Sequence, residues 1–372
     1  MQEPPGTGFG AYLHVPFCTS RCDYCAFATW DDRGHLVAAY AAALAVEVGR
    51  AVEDGMPPAR TVYFGGGTPS LLSPDQLYAV LSALPTTSES EVTVECNPET
   101  VDAAKLAGYR EAGVSRVSFG VQSMDPEVLV SLGRRHDPAG VRTAVEAASA
   151  TGFGAAYSVD LIMGAAGETV PSWAETLEQV LRLDPAPSHV SAYGLTVEPG
   201  TPLARDPSRY PDPDDQADKY ELADERLTSA GLDWYELSNW ARPGHECRHN
   251  LLYWAHGEYR GFGCAAHSHA RLPGGRSRRW WNVRTPERYL RLVGRGEPVE
   301  AASEELDAPT VRAERQMLAL RTRDGIGAGS IRDTAELGRL VEAGLVVQRG
   351  PNVSLTRAGR LLANEVALRL IG

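Results

Sequence analysis

Residues 14–27 read His14-Val15-Pro16-Phe17-Cys18-Thr19-Ser20-Arg21-Cys22-Asp23-Tyr24-Cys25-Ala26-Phe27, and they decide how the rest of the chain is read. Three of the six cysteines in 372 residues fall here, spaced C-x₃-C-x₂-C within eight residues. Thr19, Arg21 and Asp23 between them mark a polar loop, which argues against inert buried thiols. Thiolates favour zinc and iron–sulfur clusters. Structural zinc normally takes four closed ligands, usually as two separated pairs. Three cysteines on one loop instead hold three irons of a cubane and leave the fourth open, which is what chemistry at a metal needs. Phe27, two residues beyond Cys25, is not a ligand. The competing reading is a zinc site completed by a distant histidine.

Outward from this loop, short apolar β-branched runs alternate with longer helical patterns. The strand candidates are 11–15, 61–64, 91–96, 114–121, 155–162, 189–194 and 232–237. Helical patterns fall at 36–53, 74–84, 103–112, 139–150, 172–183 and 215–230. Regular β-α alternation implies a parallel sheet with helical crossovers, either doubly wound or a complete or partial barrel. Chemically suggestive residues cluster at successive strand ends: the cysteines, Gly65-Gly66-Gly67-Thr68-Pro69, Glu95 and Asn97, Gln122, Asp160 and Tyr193. In a barrel these ends open onto one face.

Composition sets the bounds. With 43% hydrophobic and 23% charged residues the chain is ordinary globular protein, and its net charge of −12 argues against general charge-driven binding to nucleic acid or anionic membrane. The opening MQEPPGTGFGAYLHV has no basic n-region and no long apolar run, so no signal peptide is expected and the location expected is cytoplasmic. After residue 240 the alternation stops. Residues 241–306 read as a connecting segment, and 307–372 as helix, helix, hairpin, helix, a small winged-helix-like unit expected to dock over the barrel mouth.

The cysteine loop resembles the radical S-adenosylmethionine (SAM) signature, and neighbouring words sharpen the resemblance. Tyr12-x-His14-x-Pro16-Phe17-Cys18, Gly65-Gly66-Gly67-Thr68-Pro69-Ser70 and Glu95-x-Asn97-Pro98 are similar to the oxygen-independent coproporphyrinogen III oxidase group. So are Gly120-Val121-Gln122-Ser123, Leu132-Gly133-Arg134-x-His136 and Asp160-Leu161-Ile162-x-Gly164. The resemblance implies a partial (β/α)₆-type TIM-like barrel with residues 1–240 as its body. It also implies a [4Fe–4S] cluster on Cys18, Cys22 and Cys25, whose open iron takes the amino and carboxylate groups of SAM. By the same resemblance Tyr12, Tyr24, Gly66, Gly67, Thr68, Glu95, Gln122, Arg134, Asp160 and Gly194 line the SAM site.

The group holds two trades. The oxidases decarboxylate coproporphyrinogen propionates and usually carry a fourth cysteine where this chain has Phe27. That departure resembles the HemW branch, the haem chaperones, which deliver haem to acceptor proteins, respiratory ones at the membrane among them. A second word, His249-Asn250-Leu251-Leu252-Tyr253-Trp254, matches the HNxxYW associated with haem binding in that branch. The resemblance implies His249 as the iron ligand with Asn250, Tyr253 and Trp254 around the macrocycle; a His–Asn turn cap beside core aromatics is the alternative. His245, Cys247, Cys264, His267 and His269 lie nearby in a spacing that fits no zinc pattern. Two loops depart from the family, with Cys264-Ala265 where Pro-Gly is usual and Ala165-Ala166 where Leu-Pro is usual.

Residues 271–291 hold seven arginines and one acid with Trp280 and Trp281 between them. A solvated basic face, a site for haem propionates and a single-stranded nucleic-acid site are the readings in that order. The functions expected are therefore haem chaperone first, oxygen-independent porphyrinogen decarboxylase second, and a nucleic-acid-modifying radical SAM enzyme third, with no nucleic-acid partner expected.

Overall fold

The first six strand candidates all form strands, and all six run in the same direction. In this computed structural model, which describes residues 8–371, they are β1 (Phe9–Val15), β2 (Ala59–Gly66), β3 (Thr86–Cys96), β4 (Arg116–Gln122), β5 (Tyr157–Met163) and β6 (His189–Gly194). Each is paired in parallel with its successor. Residues 1–7, on which the expectation of no signal peptide partly rests, lie outside the described residues.

The strands obey a period of two that separates a core from a lumen. Ala11, Leu13, Val62, Phe64, Val94, Val117, Phe119, Val159, Leu161 and Val190 join the apolar core beneath the helices. Their neighbours Tyr63, Thr93, Glu95, Arg116, Ser118, Ser158, Asp160, His189 and Ser191 line an internal cavity. Helix starts are fixed locally. Ser73, Asp125, Asp137 and Asp212 cap helices whose next residue is proline, supplying an acceptor to orphan amides and a preset φ. The helix 34–53 alone among the described residues is long and apolar enough to cross a membrane, yet it buries Tyr40, Leu44, Val48 and Ala51 in this core.

β6 is the last of the consecutive parallel strands, but one more helix, Pro213–Ser229, follows and the sheet does not end. β7 (Asp233–Glu236) and β8 (Asn239–Ala241) add antiparallel to its β6 edge. On the other side β9 (Glu258–Phe262) pairs in parallel with β1, and β10 (His267–Leu272), β11 (Arg276–Asn282) and β12 (Glu300–Leu306) follow as an antiparallel meander. The result is one sheet of twelve strands in the order β12-β11-β10-β9-β1-β2-β3-β4-β5-β6-β8-β7, a partial barrel extended at both ends. Residues 241–306, expected as a connector, thus carry most of one flank of that sheet.

The C-terminal unit has its own core, including Leu320, Ile326, Leu340, Val353 and Val366. Its hairpin forms as β14 (Val346–Arg349) and β15 (Asn352–Leu355), joined by the two-residue β13 (Ile326–Gly327). Asp224 anchors it, accepting from Arg357 Nε at 2.5 Å and from both Nη atoms of Arg360 at 2.8 and 2.9 Å. Docking over the mouth does not occur: the unit meets β7 through a Glu236–Thr322 bridge and meets the β9–β11 flank through Glu314. Among the described residues, none of it lines the cavity.

Candidate functional site

The cysteine loop is pinched at its base. Cys18 N–H donates to Trp30 O at 3.0 Å and Trp30 N–H to Pro16 O at 2.8 Å, so residues 18–29 form a closed excursion beyond β1. His14, inward-facing on β1, ties the far side with Nε2 3.0 Å from Ala28 O. The end of β2 presses against this loop: Gly67 N–H donates to Val15 O at 2.8 Å and Thr68 N–H to Phe17 O at 2.7 Å. A Cβ on Gly67 would lie 2.6 Å from Phe17 O and 3.0 Å from Cys18 Sγ, so only glycine allows the approach.

Cys18, Cys22 and Cys25 are all partly exposed and all face one cavity of about 490 Å³ at the carboxyl ends of the strands. The donor set is three sulfurs on one wall with an arginine beside them: Arg134 Nη1 is 3.4 Å from Cys22 Sγ. Burial pushes the Cys18 thiol up to about 11, and bonds from Thr68 and Thr29 partly offset this. Three soft thiols facing open space are the donor type that a cluster with one free iron takes, although among the described residues no three His, Cys, Asp or Glu side chains stand together as a closed metal site. A bound metal itself deprotonates its thiols.

Nine of the ten residues expected at the SAM site line this cavity: Tyr24, Gly66, Gly67, Thr68, Glu95, Gln122, Arg134, Asp160 and Gly194. Tyr12 is not among its lining residues; it stands next to Tyr63, ring centroids 6.4 Å apart, with its hydroxyl 3.1 Å from His14 Nδ1. Glu95 accepts from Tyr63 Oη at 2.9 Å and from Gly66 N–H at 3.1 Å. Burial, reinforced by Asp160, raises it to about 7. Asp160 is raised by burial too, and accepts from Ser118 and Ser191 Oγ, both at 2.7 Å. Gln122 holds φ +65° at the end of β4, a left-handed backbone uncommon for a side chain of this kind. Thr93 Oγ1, Arg116 Nε, Arg134 Nε and His189 Nδ1 belong to lining residues and, buried, have no partner among the described residues. Buried groups of this kind need a ligand or water to complete them.

These deeper lumen residues escaped the sequence reading, which looked only at strand ends. The signal was present in the period-two polar positions Thr93, Arg116, Ser158 and His189 on otherwise apolar strands.

The HNxxYW segment forms the helix Arg248–Trp254, which buries His249 and Leu252 and leaves its other residues partly exposed. His249 is 1% exposed. Its Nδ1 is 2.9 Å from Thr61 Oγ1 and its Nε2 is 2.8 Å from Tyr253 Oη, while burial lowers its pKa to about 3. Both ring nitrogens are engaged within the fold. Asn250 Nδ2 donates to Glu236 Oε1 at 3.2 Å. Of the four motif residues only Asn250 reaches the cavity.

The remaining sulfurs and arginines find structural partners. Cys247 and Cys264 are buried, the latter 3.4 Å from Tyr40 Oη. Arg276, Arg278 and Arg279 on β11 pair across the strand with Glu305, Glu300 and Glu304 on β12, and Arg279 also reaches Glu314. Three of the seven arginines of the basic run are therefore one half of a cross-strand ladder of opposite charges. His245 and His267 are exposed; His267 stacks on Trp281 at 5.7 Å.

A parallel-stranded partial barrel with three thiols at its mouth defines a class of protein that holds a metal cluster above an internal polar cavity. Comparisons make that class specific. The radical SAM superfamily profile matches residues 12–180. The chain is 39% identical to heme chaperone HemW of Mycobacterium tuberculosis over 99% of its own length and 96% of the relative's. It is 37% identical to heme chaperone HemW of Escherichia coli, covering 75% of each chain. The solved structure of Escherichia coli coproporphyrinogen III oxidase (HemN), described as a radical SAM enzyme, superposes with a TM-score of 0.83 at 21% identity, over 99% of this chain and 91% of that one, and so shares its fold. The chain belongs to the radical SAM superfamily, in the HemW branch of the coproporphyrinogen III oxidase-like group. That membership implies a [4Fe–4S] cluster and SAM.

Proposed function

We propose that this protein is a haem chaperone: it carries the cluster on Cys18, Cys22 and Cys25, takes SAM in the adjoining cavity, and delivers haem from the cytoplasm to acceptor proteins, respiratory ones among them. The observation that carries the reading is Phe27, 67% exposed beside the thiol triad in a chain similar to heme chaperones along nearly its whole length. A thiol there marks the oxidases; an exposed phenyl supplies no ligand but offers apolar surface to a macrocycle.

When bound, the cluster supplies one electron to SAM. The residues proposed to hold SAM divide by chemistry. Gly66 closes β2 and Thr68 lies two residues beyond it, Glu95 and Asp160 supply acceptors for hydroxyls or the sulfonium, and Arg134 sets charge beside Cys22. For haem iron we favour His267 over His249. It is exposed, and its neighbour Trp281 gives an aromatic wall. Burial and then Arg279 lower its pKa, leaving a neutral imidazole, the form that binds iron.

The test is haem titration beside anaerobic turnover of coproporphyrinogen III on one cluster-loaded preparation. The reading predicts about one haem per chain, no CO₂ release, and weakened uptake in His267→Ala. Sustained decarboxylation without haem affinity contradicts it and restores the oxidase.

A further inference from the structure

The HNxxYW helix touches the cofactor end of the barrel through a continuous column of rings. Tyr253 meets His249 edge-on at 4.7 Å. His249 stacks on Tyr63 at 5.2 Å and on Tyr12 at 6.5 Å, with interplanar angles of 23° and 28°. Tyr63 and Tyr12 are inward-facing residues of β2 and β1, paired directly across the parallel ladder.

Each tyrosine leads to a different part of the proposed SAM and cluster site. The Tyr63 hydroxyl donates to Glu95, whose other oxygen holds Gly66 N–H. The Tyr12 hydroxyl meets His14 Nδ1, and His14 Nε2 meets Ala28 O on the cysteine loop. With a carbonyl accepting at Nε2, that nitrogen carries the proton and Nδ1 accepts from Tyr12. The glycine run rests on the same rings: a Cβ on Gly65 would lie 3.0 Å from both tyrosine rings, and one on Gly66 would lie 2.6 Å from the His14 ring.

His249 is pinned from behind as well as in front. Its backbone N–H donates to Glu91 at 3.3 Å, and Thr61 and Tyr253 hold its two ring nitrogens. The ring is therefore fixed in plane and tilt, and two rings that carry site contacts stack on it.

We propose that His249 is a positioning residue for the SAM end of the cavity, acting through Tyr63 on Glu95 and through Tyr12 and His14 on the cysteine loop. The inference rests on the cluster and SAM reading above and gives the HNxxYW motif a role other than meeting haem iron. Any event that shifts the helix Arg248–Trp254 is transmitted to both Glu95 and Ala28, because neither tyrosine can follow without leaving its hydrogen bond.

The test compares wild-type protein with His249→Phe, Tyr63→Phe and Tyr12→Phe, all reconstituted anaerobically. Tyr63→Phe keeps the ring and removes one hydroxyl, so it reports on coupling even where the histidine variant fails to fold. Three quantities are read: iron per chain, SAM affinity by equilibrium dialysis, and the EPR spectrum of the reduced cluster with and without SAM. The inference predicts normal iron in each folded variant, SAM affinity roughly tenfold weaker in His249→Phe and Tyr63→Phe, the size of a lost charge-assisted hydrogen bond, and an altered SAM-induced spectrum. Tyr12→Phe alters the cluster spectrum before SAM is added. A merely structural role lowers thermal stability and leaves affinity and spectra unchanged; that result overturns the inference. Haem titration of wild type runs in parallel, and absent uptake there defeats the chaperone reading alone.

Discussion

Arg134 places Nη1 3.4 Å from the sulfur of Cys22, while its Nη2 donates to Asn97 Oδ1 and to Gly120 O, both at 2.8 Å. Two neutral acceptors from the ends of β3 and β4 thus hold a full positive charge against one cluster thiol. A fixed cation stabilises the more negative, reduced form of a nearby centre.

Arg134→Met should therefore lower the reduction potential of the reconstituted cluster. A drop of roughly 60 mV corresponds to a tenfold change for one electron. Redox titration followed by EPR reads it; an unchanged potential shows that the arginine acts on SAM or packing alone.

Gly67→Val should disturb the cluster before it disturbs SAM. The added carbon meets Phe17 O and Cys18 Sγ, and relief of such overlap costs about 1–3 kcal/mol. The expected outcome is reduced iron per chain after reconstitution, measured colorimetrically. Full iron with lost SAM affinity assigns Gly67 to the SAM surface instead.

Glu236 gives a pH test of the barrel interior. It is 0% exposed, and burial raises it from 4.5 to about 8 against the opposing bonds from Asn239 and Asn250. A raised carboxyl contributes stability that is complete below pH 4.5 and is lost as pH rises through about 8. Between those values stability should fall by at most about 1.4 kcal/mol per pH unit from this group. Glu236→Gln keeps an acceptor for Asn250 and cannot ionise, so its denaturation midpoint should depend less on pH between about 4.5 and 8. Parallel pH profiles of mutant and wild type contradict this.

What the sequence disclosed follows from where each signal lives. β1 to β6 were legible because one face of each packs on helices, giving Val117-Phe119-Val121 and Val159-Leu161 their alternation. β12 was not, since Glu300–Leu306 is exposed over all but its last residue and gains its order from arginines on β11. Strand-end residues such as Glu95, Gln122 and Asp160 were found at the cavity because topology alone sends them there. Tyr12 fell short because it lies two residues below His14 on the same inward face, behind the glycine run. The burial of His249 depends on Thr61, 188 positions away, a relation that no local pattern carries.

Cys18, Cys22 and Cys25 are the proposed ligands of a cluster with one iron left open. Anaerobic reconstitution with iron and sulfide, followed by EPR of the reduced protein with and without SAM, tests this most directly. The prediction is about four irons and four sulfides per chain, a spectrum changed by SAM, and loss of both when Cys18, Cys22 and Cys25 become serine but not in Cys96→Ser. One equivalent of zinc with no iron uptake, or identical spectra with and without SAM, contradicts it.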